Sequence, residues 1–513
     1  MKKISLCLWA LLGLFSCKKE TQFKEKSNSS GNLAANAVQS VLFEASKNPG
    51  KLTADIQCTI SGDEISALIP PLVDRNLVVT FKTGVSGVVA MVNDTVQVSG
   101  VTRVNFAKPV TYMLRLPDGH SRKIKFTVKS FTGLPILYLT TTSPVTSKDD
   151  YVKGNLVIDP NSEYEQEKLS IPLQVKGRGN TTWALAKKPY RMKFDSKADM
   201  LGMPAAKNWV LLANYSDKTL FRVNLAFELG RMFGVAFAQQ SRFVELSLNG
   251  EYKGNYLLTS QVEVHENRVN IPELKEADVS ADKITGGYLL ELGTQEDAWF
   301  ETKQKLSFTI KSPEDMPDVQ YNYIKDYIAA TEAALFSADF ADPVKGYASF
   351  IDVESFINWY LVEELTKNPD ARHGSSVYYY KDRGGKLCMG PLWDFDVAMG
   401  NTDQAAIRSP QGGWVMQGVW FNRLFQDKNF RKKVKERWNK IKNKELAKLG
   451  PYIDNTVNYI NLSQQSNFLR WDILKKPVWP NNTYLGSYDQ EVTYIKDWLR
   501  TRIMWMDSEI QKF

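Results

Sequence analysis

Histidine and cysteine are scarce in this 513-residue chain, which has three of the first and four of the second. The cysteines stand at 7, 17, 58 and 388 without a CxxC pair, and the histidines at 120, 265 and 373, which leaves little material for a zinc site. No segment after the first twenty residues reaches eighteen consecutive apolar residues, so no transmembrane helix is expected there. The phosphate-binding pattern GxxxxGK[ST] is absent. The formal net charge of +8 reads as spread along the chain, which argues against a nucleic-acid partner because phosphate-tracking surfaces come from clustered basic residues. Tryptophan is missing from about 38 to 132, although the chain holds 13.

What is present reads as globular: 43% hydrophobic and 24% charged residues over a length that calls for two or three domains. Lys2 and Lys3 precede a twelve-residue apolar stretch, Ile4 to Phe15, too short to span a bilayer and fit for a signal peptide over residues 1–16. It ends in Leu14-Phe15-Ser16-Cys17, which resembles a bacterial lipobox and implies cleavage before Cys17 and lipidation of its sulfur; a plain signal peptide that contains a cysteine is the alternative. Lys18-Lys19 does not suggest retention at the inner membrane, so an outer-membrane lipoprotein on the periplasmic or cell-surface side is expected. Residues 17–37, polar and rich in Lys, Ser and Asn, read as a tether.

Residues 38–132 alternate with period two: Leu52, Ala54, Ile56, Cys58 and Ile60 on one face, then Val110, Tyr112, Leu114 and Leu116 on another strand. Leu116-Pro117-Asp118-Gly119 is a turn leading to the return strand of Ile124, Phe126 and Val128. Short strands between Gly, Asp, Asn and Pro turns predict an all-β immunoglobulin-like sandwich, similar to N-terminal modules of Bacteroidetes surface lipoproteins, with Cys58 as a core residue. Residues 134–513 change to an α+β pattern, strands first and helices beyond about 318, with a possible cleft between the halves.

A series of motifs then runs in order. Lys176-Gly177-Arg178-Gly179-Asn180-Thr181-Thr182-Trp183, Lys187-Lys188-Pro189-Tyr190-Arg191-Met192-Lys193-Phe194 and Trp209-Val210-Leu211-Leu212-Ala213-Asn214-Tyr215 come first. Asn249-Gly250-Glu251-Tyr252-Lys253-Gly254, Lys367-Asn368-Pro369-Asp370 and Gly390-Pro391-Leu392-Trp393-Asp394-Phe395-Asp396 follow. Together they resemble the CotH family of spore-coat-protein-H-like atypical kinases. The resemblance implies a protein-kinase-like fold, ATP with Mg²⁺ or Mn²⁺, and transfer to a protein or other hydroxyl acceptor.

Phosphoryl transfer needs carboxylates for the metal, cations on the phosphates and a carboxylate at the acceptor hydroxyl. Asp394 and Asp396, two apart after a predicted strand, are the expected metal ligands; alone, such a pair could equally cap a turn. Asp370 is expected to be catalytic, on the kinase-like order of aspartate, short strand, aspartate; locally Asn368-Pro369-Asp370 is also a turn. The asparagine that kinases place a few residues later is replaced by Gly374-Ser375-Ser376. Tyr190, Met192 and Phe194 would face the core, leaving Arg191 and Lys193 on the other side of their strand, which by spacing alone reads as solvated charges on an exposed strand; the resemblance implies that they, with Arg178, are phosphate ligands. Two alternatives stand beside the kinase: a silent adhesin or glycan-accessory protein on the same fold, and a two-carboxylate glycosidase using Asp370 and Asp394.

Overall fold

The computed structural model describes residues 37–513 except 72–73, 294, 296–297, 373–375 and 482–483. The expected signal peptide, Cys17 and the tether up to residue 36 lie outside the described residues, as does His373. The chain divides into two compact units, one of residues up to Ala67 with Asp74–Thr127, the other of Leu68–Val73 with Val128–Phe513.

The first unit is built of short strands. The chain reverses at Leu116–Gly119, with Gly119 at φ 88° and the Leu116 N–H donating to the His120 carbonyl at 2.8 Å. This places Tyr112 and Leu114 on the same buried face as Ile124 and Phe126. Phe43, from a three-stranded sheet, meets Phe106 at 5.5 Å and Phe126 at 5.7 Å between ring centroids, and Phe126 belongs to a six-stranded sheet. The core lies between the sheets. Cys58 is buried there and its thiol is pushed up to about 12 by burial. The expected single face from Leu52 to Ile60 is not formed. Ile56–Gln57 and Thr59–Ser61 belong to different sheets, so the alternation breaks at Cys58 and Ile60 is 36% exposed.

The second unit is mixed α+β. Seven strands close a barrel: β1 Ile136–Thr141, β2 Val152–Asp159, β3 Leu169–Gly177, β4 Tyr190–Met200, β5 Met203–Leu212, β6 Ser241–Leu248 and β7 Glu251–Ser260. The order is β1-β2-β3-β4-β5-β7-β6, with a parallel β1–β6 pair completing the ring. Asn249 and Gly250, at φ 53° and 81°, make the tight turn between β6 and β7 that their dipeptide predicts. Inward residues alternate as the pleat demands, among them Val175, Tyr190, Met192, Phe194 and Trp209.

Beyond the barrel, β8 Tyr288–Leu292, β9 Trp299–Glu301, β10 Ser307–Ser312, β11 Val377–Lys381 and β12 Leu387–Met389 form an antiparallel sheet in the order β9-β10-β8-β11-β12. Helices α1 Arg222–Met232, α2 Asp318–Phe336, α3 Val353–Thr366, α4 Lys428–Lys442 and α5 Tyr488–Ile510 share one continuous hydrophobic core with it. Asp352 caps α3, its carboxylate accepting from the Ser355 N–H, and Lys367 ends it in the left-handed conformation, followed by Asn368 in the extended backbone that a residue before proline favours. No helix among the described residues is long and apolar enough to cross a membrane.

Candidate functional site

A cleft of about 500 Å³ in the second unit is lined by the ends of β3 and β4, by residues of the second sheet and by the loop after β12. Three of its cations come from the barrel. Lys176 and Arg191 are direct cross-strand partners on β3 and β4, an arrangement of like charges that is unfavourable by itself. Arg178 follows one residue past the end of β3, its guanidinium 5.2 Å from the centre of the Trp393 ring. Gly177 leaves room for the Trp183 ring, since a Cβ there would lie 2.4 Å from it, and Gly179 turns the chain at φ 81°. Neither Arg178 nor Arg191 makes a side-chain hydrogen bond or ion pair among the described residues, and Arg191 Nε is buried without a partner. Burial lowers the Arg178 guanidinium while the charge of Asp394 opposes that shift.

The opposite lining carries the carboxylates. Asp394 and Asp396 sit in an irregular loop after Gly390 and both line the cleft with Asp370. The expected extended geometry is not how they meet. Asp394 adopts φ 64°, a left-handed turn that an aspartate tolerates at some cost and that the surrounding bonds must hold. Ser376 Oγ donates to Asp394 and Ser216 Oγ to Asp396, each at 3.4 Å. Burial raises all three carboxyls. Asp370 rises to about 7, with the charge of Asp394 adding to burial, and Asp396 rises to about 8, with Asp394, Asp217 and Asp370 adding. Asp394 is raised by burial and held back by Arg178.

Asn368 joins the two acidic segments. Its Oδ1 accepts from the Asp370 N–H at 3.3 Å while its Nδ2 donates to the Asp394 carbonyl at 3.3 Å. Its own carbonyl accepts from Trp414 Nε1 at 2.9 Å, so the residue, 2% exposed, is fixed from both sides. Glu363 lies beneath, buried, with one oxygen unpartnered and its carboxyl raised well above the usual range by burial. We expect Asn368→Ser to keep the cap on Asp370 but lose the link to the Asp394 carbonyl. On the expectation that Asp394 holds Mg²⁺ for a nucleotide, the Mg²⁺ needed for half-maximal binding should rise about 10- to 100-fold, the effect of removing a residue that supports a metal ligand, with the melting point little changed. Equal Mg²⁺ titrations of variant and wild type would show that the link does not orient Asp394.

The structure thus brings together five of the six expected cleft residues: Arg178, Arg191, Asp370, Asp394 and Asp396. Lys193 is not among the lining residues. It follows Arg191 on the same side of β4, about 6.6 Å further along, and is exposed opposite Gln174 and Asn208. Lys187, assigned from alternation to the side of Arg191, is instead buried, its amine donating to Asn467 Oδ1 at 2.9 Å and to the Asn255 carbonyl, and lowered to about 7 by burial. Ser216 and Glu291 line the cleft through partners far away in sequence, Ser216 Oγ donating to Asp396 and Glu291 accepting from the Ser376 N–H. Among the described residues no group of three or more His, Cys, Asp or Glu is arranged to hold a metal alone. Asn214 adds an oxygen: it is 6% exposed, donates Nδ2 to the Leu220 carbonyl, and lines with Asp394 and Asp396 a void of about 30 Å³, room for one water-sized occupant.

A family model described as CotH kinase protein matches residues 175–506. No curated protein matches the chain. Among solved structures, a Bacteroides thetaiotaomicron protein provisionally described as a glycoside hydrolase is 14% identical, covering 56% of this chain and 86% of its own. The TM-score of that match is 0.16, so it carries no argument about fold or activity.

Proposed function

Because the chain belongs to the CotH kinase family, we propose that the cleft binds Mg-ATP and transfers the γ-phosphate to a hydroxyl group of a protein or other acceptor. The observation that carries this reading is electrostatic. Lys176, Arg178 and Arg191 crowd together on one side with no carboxylate at ion-pair distance among the described residues, and Asp370, Asp394 and Asp396 crowd together on the other, where the charge of Arg178 offsets part of that of Asp394. A divalent cation with a chain of phosphates complements both sides at once.

Asp394 and Asp396 would hold Mg²⁺, hard oxygen ligands that suit Mg²⁺ or Mn²⁺, with Asn214 a third oxygen in place of the asparagine expected after Asp370. The metal supplies neutralisation of the charge on the transferring phosphates. Arg178 and Arg191 hold the phosphate oxygens through donors the protein leaves unspent, and Ser216 and Ser376 keep the two carboxylates aimed. Asp370 accepts a hydrogen bond from the acceptor hydroxyl, orients its oxygen towards the phosphorus and takes its proton as the new P–O bond forms and the bond from the γ-phosphorus to the β,γ-bridging oxygen breaks, leaving ADP. Asn368 keeps that carboxylate in register with Asp394.

In the same reading the barrel and the helical part form the two halves of an atypical protein-kinase-like domain. The first unit is an immunoglobulin-like module, and lipidation at Cys17 anchors the whole in the outer membrane.

The test is thermal. At one hundred times its Kd, Mg-ATP stabilises the protein that binds it by about 2.7 kcal/mol. We expect the melting point of the second unit to rise by several degrees with millimolar Mg-ATP and not with ATP and a chelator. No shift at all would remove the kinase reading. One observation favours the silent glycan-binding alternative: Trp479, 56% exposed, stands on the cleft lining, where a sugar ring could stack on it. Oligosaccharide in place of Mg-ATP in the same melts separates the two.

A further inference from the structure

The charge of this chain is less evenly spread than the sequence pattern suggests. Residues 428–448 contain ten Lys and Arg against two Glu, a net +8 that equals the formal charge of the whole chain; the other 492 residues balance, 55 against 55. Structure divides these cations into two sets. Four are spent inside the fold. Lys435 donates to the Gln511 and Phe513 carbonyls, Arg437 to Asn358 and the Phe233 carbonyl, Arg431 to the Phe425 carbonyl, and Lys442 pairs with Asp507 at 2.6 Å. They flank the buried face of α4, made by Phe430, Val434, Trp438 and Ile441.

The other six, Lys428, Lys432, Lys433, Lys440, Lys444 and Lys448, are all exposed. Lys428, Lys432 and Lys440 fall on one four-residue row of α4, interrupted by Glu436, and Lys444 stands in the turn that follows; the row winds round the helix by about 40° per step, so these lysines cover its broad solvent-facing side over about 18 Å. Glu436 and Glu445 are the carboxylates within ion-pair distance: Lys432 and Lys444, 74% and 79% exposed, stand 3.9 and 3.8 Å from them, and Lys448, 58% exposed, pairs with Glu445 at 2.7 Å.

We propose that α4 and the turn after it form a docking surface for an anionic membrane, with these lysines set against lipid phosphate headgroups. Two features select that partner. It uses lysines, compact point charges, where bidentate recognition of single phosphates would call for arginine. It presents no exposed aromatic ring on which a base could stack, since Trp438 is buried. The docking is independent of the kinase reading and of any lipid on Cys17.

The experiment uses the full chain carrying Cys17→Ala, so that no lipid contributes, and vesicles of phosphatidylcholine with or without phosphatidylglycerol. We expect co-sedimentation only with the anionic vesicles, lost at high salt. Each lysine near an anionic surface is worth about fivefold in partitioning, so Lys432→Gln/Lys440→Gln/Lys444→Gln should reduce binding by ~100-fold with an unchanged melting point. Should that variant fold poorly, Lys428→Gln/Lys433→Gln/Lys448→Gln serves the same comparison. Equal binding to both vesicle types, or no loss in either variant, overturns the proposal. Tighter binding to duplex DNA than to the anionic vesicles overturns it in favour of a nucleic-acid partner.

Discussion

Asp370→Asn should leave Mg-ATP binding close to that of the wild type and reduce phosphate transfer about 10²- to 10⁴-fold, the range that a positioned general base supplies. The substitution keeps the shape of the side chain and removes its ability to take a proton. Asn368 binds the backbone N–H at this position, not the carboxylate, so the loop keeps its cap. Burial and the neighbouring Asp394 raise the Asp370 carboxyl to about 7. Only the ionised form can act as base, so transfer by the wild type should increase with pH through about 7 and level off above it. A cation between Asp394 and Asp396 removes the smaller, electrostatic cause and leaves burial, which moves the midpoint down without abolishing it. The variant should show no such limb. Measuring both profiles with nucleotide saturating isolates the chemical step. If Asp370→Asn transfers phosphate at the wild-type rate, Asp370 is only the turn residue that its Asn-Pro-Asp setting also describes.

How much of this was readable in advance depended on the range of the interaction. The turn at Leu116–Gly119, the Asn249-Gly250 hairpin and the burial of Tyr190, Met192 and Phe194 follow from local rules, and the structure has all three. The order of motifs from Lys176 to Asp396 was enough to point to the family, and the cleft gathers residues from both ends of it. What failed were extrapolations of a local rule past the point where the chain changes direction. Alternation put Leu52 to Ile60 on one strand, but the chain leaves one sheet for another at Cys58. Alternation also put Lys193 on the side of Arg191, where it lies, but only Arg191 is among the residues that line the cleft. Asp394 and Asp396 do line one cavity, but through a left-handed residue and not through a strand. The bonds that hold this turn, from Asn368 and Ser376, depend on contacts that no sequence period encodes.

Asp396→Asn should have effects of opposite sign with and without metal. Without a cation, Asp396 is a carboxylate enclosed among three others, Asp394, Asp217 and Asp370, and its carboxyl rises from 3.8 to about 8, burial being the largest cause. In that window the folded chain binds a proton that the unfolded chain lacks. The stability this group contributes is therefore fully present below 3.8 and is lost as pH rises to about 8. Asparagine carries no charge at any pH and its oxygen can still accept from Ser216 Oγ. The variant should accordingly melt a few degrees higher than the wild type at pH 8 in a chelator, by roughly 1 °C for each kcal/mol relieved in a unit of this size, and should gain little at pH 4. With Mg-ATP the order reverses, because the wild type gains the binding energy and the variant has lost a ligand. Asp394→Asn should follow the same pattern with a smaller gain in the chelator, since Arg178 already offsets part of that charge. Were Asp396 only a turn cap, its replacement would lower the melting point at every pH by about 1 kcal/mol or more, and Mg-ATP would shift variant and wild type alike. Melting curves at pH 4 and 8, with chelator and with Mg-ATP, distinguish the two, because a cap cannot stabilise on removal and a metal ligand cannot be lost without cost once the metal is present.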